Sequence, residues 1–162
     1  KFKPLSGTAI FGLLVLVMIL SFLGHFPSPW VIRPNDQTTQ TSMAGMTWFL
    51  KEKVPAIETI YIASNPKRFA EAILGTTATQ SRKDVAYDTQ FLDHFGYQRY
   101  SAVGEQIPGD MYATIHQYDK VVYQTVWRSV GRFNDSDFER LEQDPSAARI
   151  YSNGGMDCLY IL

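Results

Sequence analysis

Apolar and polar positions divide the chain into two unequal parts. Residues 5–32 contain no Asp, Glu, Lys or Arg, and residues 9–23 are a nearly unbroken apolar run. Beyond residue 33, apolar positions recur at the spacing of ordinary helices and strands. As a helix, residues 5–26 would extend about 33 Å at ~1.5 Å per residue. A bilayer's hydrocarbon core is about 30 Å thick, so the pattern predicts one transmembrane helix.

The flanks agree with that expectation. Lys1 and Lys3 precede the run, while Phe22, Phe26 and Trp30 cluster at its far end. Aromatic rings favour the headgroup layer, which makes Phe26 and Trp30 the candidate membrane-interface residues. Pro27 and Pro29 stop the helix. The positive-inside rule puts the N-terminus in the cytoplasm and residues 34–162 outside it, with Arg33 the one dissenting charge. A cleavable signal peptide is the rival, but no Ala-x-Ala pattern follows the run, so a retained anchor in the cell membrane is expected. The expected divisions are an anchor over 1–33, a polar linker over 34–41 and a domain over 42–162. Because the sequence opens on Lys1 rather than Met, processing, an incomplete start or excision from a longer chain is expected.

Within the domain, Thr41 or Ser42 can cap a helix whose apolar face is Met43, Met46, Trp48, Phe49 and Leu50. Residues 58–64 are β-branched and aromatic and predict a buried strand. Asn65-Pro66 then supplies a cap and a first-turn proline, and Gly75 lies where that helix would stop. Residues 76–84 read as a polar loop and 85–87 as a second strand. Residues 111–116 alternate as a strand, and 118–127 fit helix and strand equally. Ser136 to Glu139 has the form of a capping box. Asn153-Gly154 between two apolar runs signals a hairpin. Strands alternating with helices predict an α/β (or α+β) domain with a mixed sheet and a C-terminal β-hairpin, preceded by one transmembrane helix.

Composition narrows the partners. The chain is 45% hydrophobic and 19% charged, which is globular rather than disordered. All 16 acids but only 12 of the 15 bases lie in 34–162, leaving that part four units negative. No basic run is present, so nucleic acid is not an expected partner. Membrane lipids and other membrane protein subunits are. Cys158 is the lone cysteine, excluding an internal disulfide, and its apolar setting predicts a buried small hydrophobe.

Candidate chemistry is sparse. Asp88, Asp93 and His94 are ligand-like types, with Asp93 and His94 the weak metal candidates, but their spacing matches no specific metal site. A structural role is the stronger expectation, His94 bonding a neighbouring acid or the backbone. His116 is expected to be packed in a strand or at its edge. Ser64 has no Gly-x-Ser-x-Gly context, the turn after 58–64 is no phosphate loop, and Lys67-Arg68 could meet an anion but more often face solvent. No catalytic residue and no cofactor is expected. The aromatics are numerous, and Tyr97 and Tyr100 are the candidate platform for a glycan or a protein partner.

Several segments together resemble the C-terminal extracytoplasmic domain, with its preceding membrane helix, of bacterial and archaeal polytopic glycosyltransferase-like membrane proteins. They are Asp93-His94-Phe95-Gly96-Tyr97, residues 137–146 around Asp144-Pro145-Ser146, and residues 150–155 around Asn153-Gly154-Gly155; the 43–50 helix and residues 66–75 also fit. In that family catalysis belongs to acidic loop residues between earlier membrane helices, so the resemblance assigns no catalytic residue here. Three functions are expected in turn. The first is a single-pass accessory or structural subunit binding partners in a larger membrane assembly. The second is the non-catalytic tail of a polytopic lipid-linked-sugar glycosyltransferase, and the third an extracytoplasmic sugar-binding module.

Overall fold

A computed structural model describes residues 7–25, 38–85, 90–107 and 109–162, with side chains of the first helix described at residues 7 and 9–21. The chain divides into two units, Lys1–Ile32 and Arg33–Leu162.

The first unit holds helix α1, Gly7–His25. Its described side chains from Ile10 to Leu20 are exposed and apolar. Among the described residues no helix is long and apolar enough to cross a membrane. The span expected over 5–26 is thus not shown by the described residues, and residues 5, 6 and 26 of it lie outside them. Phe26 and Trp30, the expected interface residues, lie outside the described residues.

The second unit is a mixed α/β domain. Helix α2 spans Gln40–Glu52, β1 Thr59–Tyr61, α3 Pro66–Leu74 and α4 Thr76–Gln80. Strand β2 spans Met111–His116, α5 Gln117–Gln124, α6 Asp135–Glu142, β3 Ala147–Ser152 and β4 Met156–Ile161. The sheet order is β1-β2-β4-β3. Strand β1 runs parallel to β2, whereas β4 is antiparallel to both neighbours. The expected mixed sheet and C-terminal hairpin are both present.

Alternation along the strands sorts two cores. Ile60, Met111, Ala113, Ile115, Leu159 and Ile161 face a cluster completed by Phe91, Phe95, Phe133, Phe138 and Leu141. Tyr112, Met156 and Cys158 face the opposite cluster, with Met46, Phe49 and Leu50 of α2 and Ala70 of α3. Helices therefore cover both faces of the sheet, which is why β2 is buried at all six positions.

Local signals explain most boundaries. Asn65 caps α3 by accepting from the Lys67 amide at 2.9 Å, with Pro66 at the first helical position and Gly75 closing the helix at φ 89°. Three boundaries move. Thr39, not Thr41 or Ser42, caps α2, its hydroxyl accepting from the Ser42 amide at 3.1 Å. Asn134 and Asp137 form the box that opens α6, and Ser136 instead donates to the Asn134 carbonyl oxygen Oδ1 at 2.6 Å. Residues 76–80 are helical rather than loop. Of the strand expected over 85–87, residues 86 and 87 lie outside the described residues, as does Asp88.

The aromatic-rich segment contains an unusual turn. His94 (φ 54°), Phe95 (φ 50°) and Gly96 (φ 74°) are consecutive left-handed residues, each non-glycine one costing of order 1 kcal/mol. The turn drives the Phe95 ring, fully buried, against Phe91, Phe133 and Phe138 at centroid distances of 5.0, 4.7 and 5.4 Å. A second tight spot lies at Gly104, where an added Cβ would stand 2.1 Å from the Leu162 carbonyl oxygen. Backbone on backbone cannot yield cheaply, so Gly104→Ala is expected to destabilise by about 1–3 kcal/mol, read as a lowered denaturation midpoint at unchanged slope.

Candidate ligand-binding cavity

Strands β1 and β2 are parallel, and their carboxyl ends deliver the chain to the same edge of the sheet. A cavity of ≈ 770 Å³ opens there, within the size range of small-molecule sites. Three helices begin on its wall: α2 through Thr39 and Thr41, α3 through Asn65 and Arg68, and α5 through Gln117 and Tyr118.

His116, the last residue of β2, lies on the wall and is only 1% exposed. Its ring stacks on Phe69 of α3 with centroids 4.7 Å apart and planes 8° apart. Both ring nitrogens are shut off from solvent without a full hydrogen bond among the described residues, one of them turned to the Asp119 amide in the capping box that opens α5. Burial lowers the imidazole to about 4, with Asp157 pulling weakly the other way, so the ring is neutral at pH 7. A neutral imidazole has one donor and one acceptor nitrogen, and the acceptor suits that amide.

The floor beneath it is rigid. Asp119 of α5 is fully buried and accepts from the His116 amide at 2.8 Å, the Ser64 amide at 2.8 Å and the Ser64 hydroxyl at 2.6 Å. Burial raises its carboxyl, against the pull of those donors. This carboxyl ties the loop after β1 to the start of α5 and holds the cavity's edge in place. Ser64 is thereby a structural donor. Tyr61 adds a second tie, its hydroxyl accepting from the Asn65 amide nitrogen at 3.2 Å.

Around the wall, Arg68 is exposed, and it is the one charged side chain lining the cavity among the described residues. Gln90 and Gln117 add exposed amides, while Tyr118 and Trp127 add aromatic surface. No carboxylate lines it among the described residues.

The residues singled out in the sequence lie elsewhere. Arg132 pairs with Asp93 through Nε and reaches the Phe91 carbonyl at 2.9 Å. His94 pairs through Nδ1 with Asp137 at 2.8 Å, as a structural histidine would. Asp93 and His94 thus serve different partners, and among the described residues no group of three or more His, Cys, Asp or Glu is placed to hold a metal. Tyr97 and Tyr100 do not line the cavity. The Tyr97 hydroxyl donates to Asp144 at 2.7 Å and its ring faces the Arg140 guanidinium at 4.1 Å. Cys158 is fully buried, and burial pushes its thiol up to about 12.

His116, Arg68 and Gln117 are what the sequence did not bring together. The one local signal is positional: His116 ends a strand and opens a helix, the place where open α/β sheets gather ligands. No protein-family model, no curated protein and no solved structure matches this chain.

Proposed function

We propose that the chain is a single-pass, membrane-anchored accessory subunit whose extracytoplasmic domain is a non-catalytic binding module. Its binding site is the cavity at the carboxyl edge of β1 and β2. The observation that carries this reading is the cavity itself, ≈ 770 Å³ at the edge where three helices begin, with Arg68 the one charged side chain on its wall among the described residues. A polar molecule of small-metabolite size would fill it. Helix α1, apolar on every face over its described residues, fits lipid tails or the helices of other subunits, and is the proposed anchor.

The test uses the full chain in lipid nanodiscs and a thermal-shift screen of neutral sugars, sugar acids, sugar phosphates and amino acids. At least one class is expected to raise the melting temperature, since a ligand at a hundred times its Kd adds about 2.7 kcal/mol. Ala72→Trp, at an exposed position on the cavity wall, is expected to abolish the shift without lowering the unliganded melting temperature. No shift with any class sinks the binding reading. Release of the protein from native membranes by alkaline carbonate sinks the anchor.

A second reading is the non-catalytic tail of a polytopic glycosyltransferase-like protein. One observation favours it: the segments carrying that resemblance bond to one another, His94 to Asp137 and Tyr97 to Asp144. Further hydrophobic spans encoded upstream would support it, and a start codon directly before Lys1 would remove it.

A further inference from the structure

We infer that Asn134 is an acceptor for an N-linked glycan, added outside the cytoplasm by a membrane-bound oligosaccharyltransferase. The inference goes beyond the binding module and rests on the extracytoplasmic placement of the domain.

The chain has four asparagines, at 35, 65, 134 and 153, and only Asn134-Asp135-Ser136 has the Asn-x-Ser/Thr acceptor pattern with x other than proline. A three-residue pattern is weak by itself, so its setting decides. All three residues are exposed, lying between the buried Phe133 and the buried Asp137. Asn134 is the N-cap of α6, and capping occupies only its carbonyl oxygen. Oδ1 accepts from the Asp137 amide at 3.0 Å and from the Ser136 hydroxyl at 2.6 Å. Nδ2, which carries two N–H donors, bonds to nothing among the described residues. Asn65 and Asn153 differ in this respect, their Nδ2 atoms donating to the Tyr61 hydroxyl at 3.2 Å and the Thr41 carbonyl at 2.7 Å. A glycosylated asparagine keeps Oδ1 and one N–H, so a glycan on Asn134 leaves the cap of α6 intact.

The transfer is a substitution at the anomeric carbon of a lipid-linked oligosaccharide. Nδ2 forms a bond to C1, and the bond from C1 to the lipid phosphate oxygen breaks with its electron pair leaving on that oxygen. The displaced amide proton passes to a base of the transferase. Nearby surface gives the sugar something to cover. Gln124, the last residue of α5, donates to the Asp135 carboxylate and so brings the turn after α5 alongside the start of α6. In that turn Val126, Trp127 and Val130 are 42%, 41% and 59% exposed. A glycan rooted at Asn134 starts beside these apolar side chains and shields them from water.

The sample is the full chain isolated from the membranes of its source and cut with trypsin. Cleavage after Arg132 and Arg140 releases residues 133–140, which are expected to carry the added mass of an oligosaccharide, placed on Asn134 by fragmentation. Asn134→Asp keeps a capping oxygen but removes the nitrogen, and Ser136→Ala removes the hydroxyl. Both are expected to lose the added mass completely while matching the melting temperature of the deglycosylated native chain, and Ser136→Thr to retain it. Arg99→Asn, which makes a second acceptor pattern ending at the exposed Ser101, reads the placement of the domain independently. A bare 133–140 peptide from the native chain overturns the inference. If Arg99→Asn nevertheless acquires a glycan, the extracytoplasmic placement stands; if it does not, and protease added to intact cells leaves residues 34–162 uncut, the placement falls as well. Added mass that survives Asn134→Asp also overturns the inference, as a sugar on the Ser136 hydroxyl would give.

Discussion

Replacing Asp84 by alanine is expected to lower the domain's stability by about 3–5 kcal/mol, the range for breaking a buried ion pair from one side. The Lys53 side chain is completely buried, enclosed by the Phe49 and Tyr112 rings, each 5.8 Å from its ammonium. It donates to the Asp84 carboxylate at 2.7 Å, the Asp84 carbonyl at 3.2 Å and the Ile57 carbonyl at 2.9 Å. Arg82 closes on the same carboxylate from the solvent side. Removing Asp84 strands the ammonium between two aromatic rings. Lys53→Met alone is expected to cost far less, because Arg82 still holds Asp84. The double replacement is expected to recover most of the loss, which a denaturant titration followed by tryptophan fluorescence would show. Equal losses in the single variants would refute the asymmetry.

The same triad sets an acid limit. Burial pushes the Asp84 carboxyl up, but Arg82 and Lys53 together outweigh it and hold it at about 2. A carboxyl depressed on folding contributes stability that is full above its unfolded value near 3.9 and lost as pH falls through the folded one. The window is therefore about pH 4 down to 2, and the Asp84→Ala variant should lack that limb.

Asp144→Ala is expected to cost about 3–4 kcal/mol, from two or more buried donors left without an acceptor. One carboxylate oxygen takes the Tyr97 hydroxyl and the buried Val103 amide, both at 2.7 Å; the other takes the Ser146 amide at 2.9 Å and its hydroxyl at 2.6 Å. These four bonds join the left-handed turn, the segment after it and the start of β3. Tyr97→Phe removes one of them and should cost about 1.5–3 kcal/mol, the usual value for a bond to a charged group. Burial raises the Asp144 carboxyl and these donors more than reverse that, so its contribution too fades as pH falls below about 4. There is a corollary for the aromatic platform. Because Tyr97 is an anchor of this joint, lost glycan binding in a Tyr97→Ala variant would report loosening of the fold unless the melting temperature were unchanged.

Where a signal was local, the sequence was legible. Asn65-Pro66…Gly75 delimited α3, and Asn153-Gly154 marked the β3–β4 turn, because caps and turns depend on a few adjacent residues. Strand β2 was legible from alternation, although the structure buries both of its faces. The start of α2 moved by two residues because Thr39, Thr41 and Ser42 can all cap, and only the fit of Ser42 against the Gly155 carbonyl selects among them. The left-handed turn at His94 and Phe95 was invisible, since nothing local favours that conformation and tertiary packing of the Phe95 ring enforces it. The cavity was invisible for a related reason. Its walls come from residues near 40, 65 and 117, which no local spacing brings together.

The strand order carries a consequence for biosynthesis. Strand β4, last of the four to be made, occupies an interior position between β2 and β3. Its turn also clasps the start of α2, Asn153 donating to the Thr41 carbonyl at 2.7 Å and the Ser42 hydroxyl to that of Gly155 at 3.3 Å. Forty residues separate His116 from Met156, which at about 5–20 residues per second is roughly 2–8 s of translation. Throughout that interval β2 lacks its β4 neighbour, and the cavity lacks Gly154 and Gly155 on its wall. The domain can close only after its final hairpin emerges, so a chaperone guarding the β2 edge would have to act on the nascent chain.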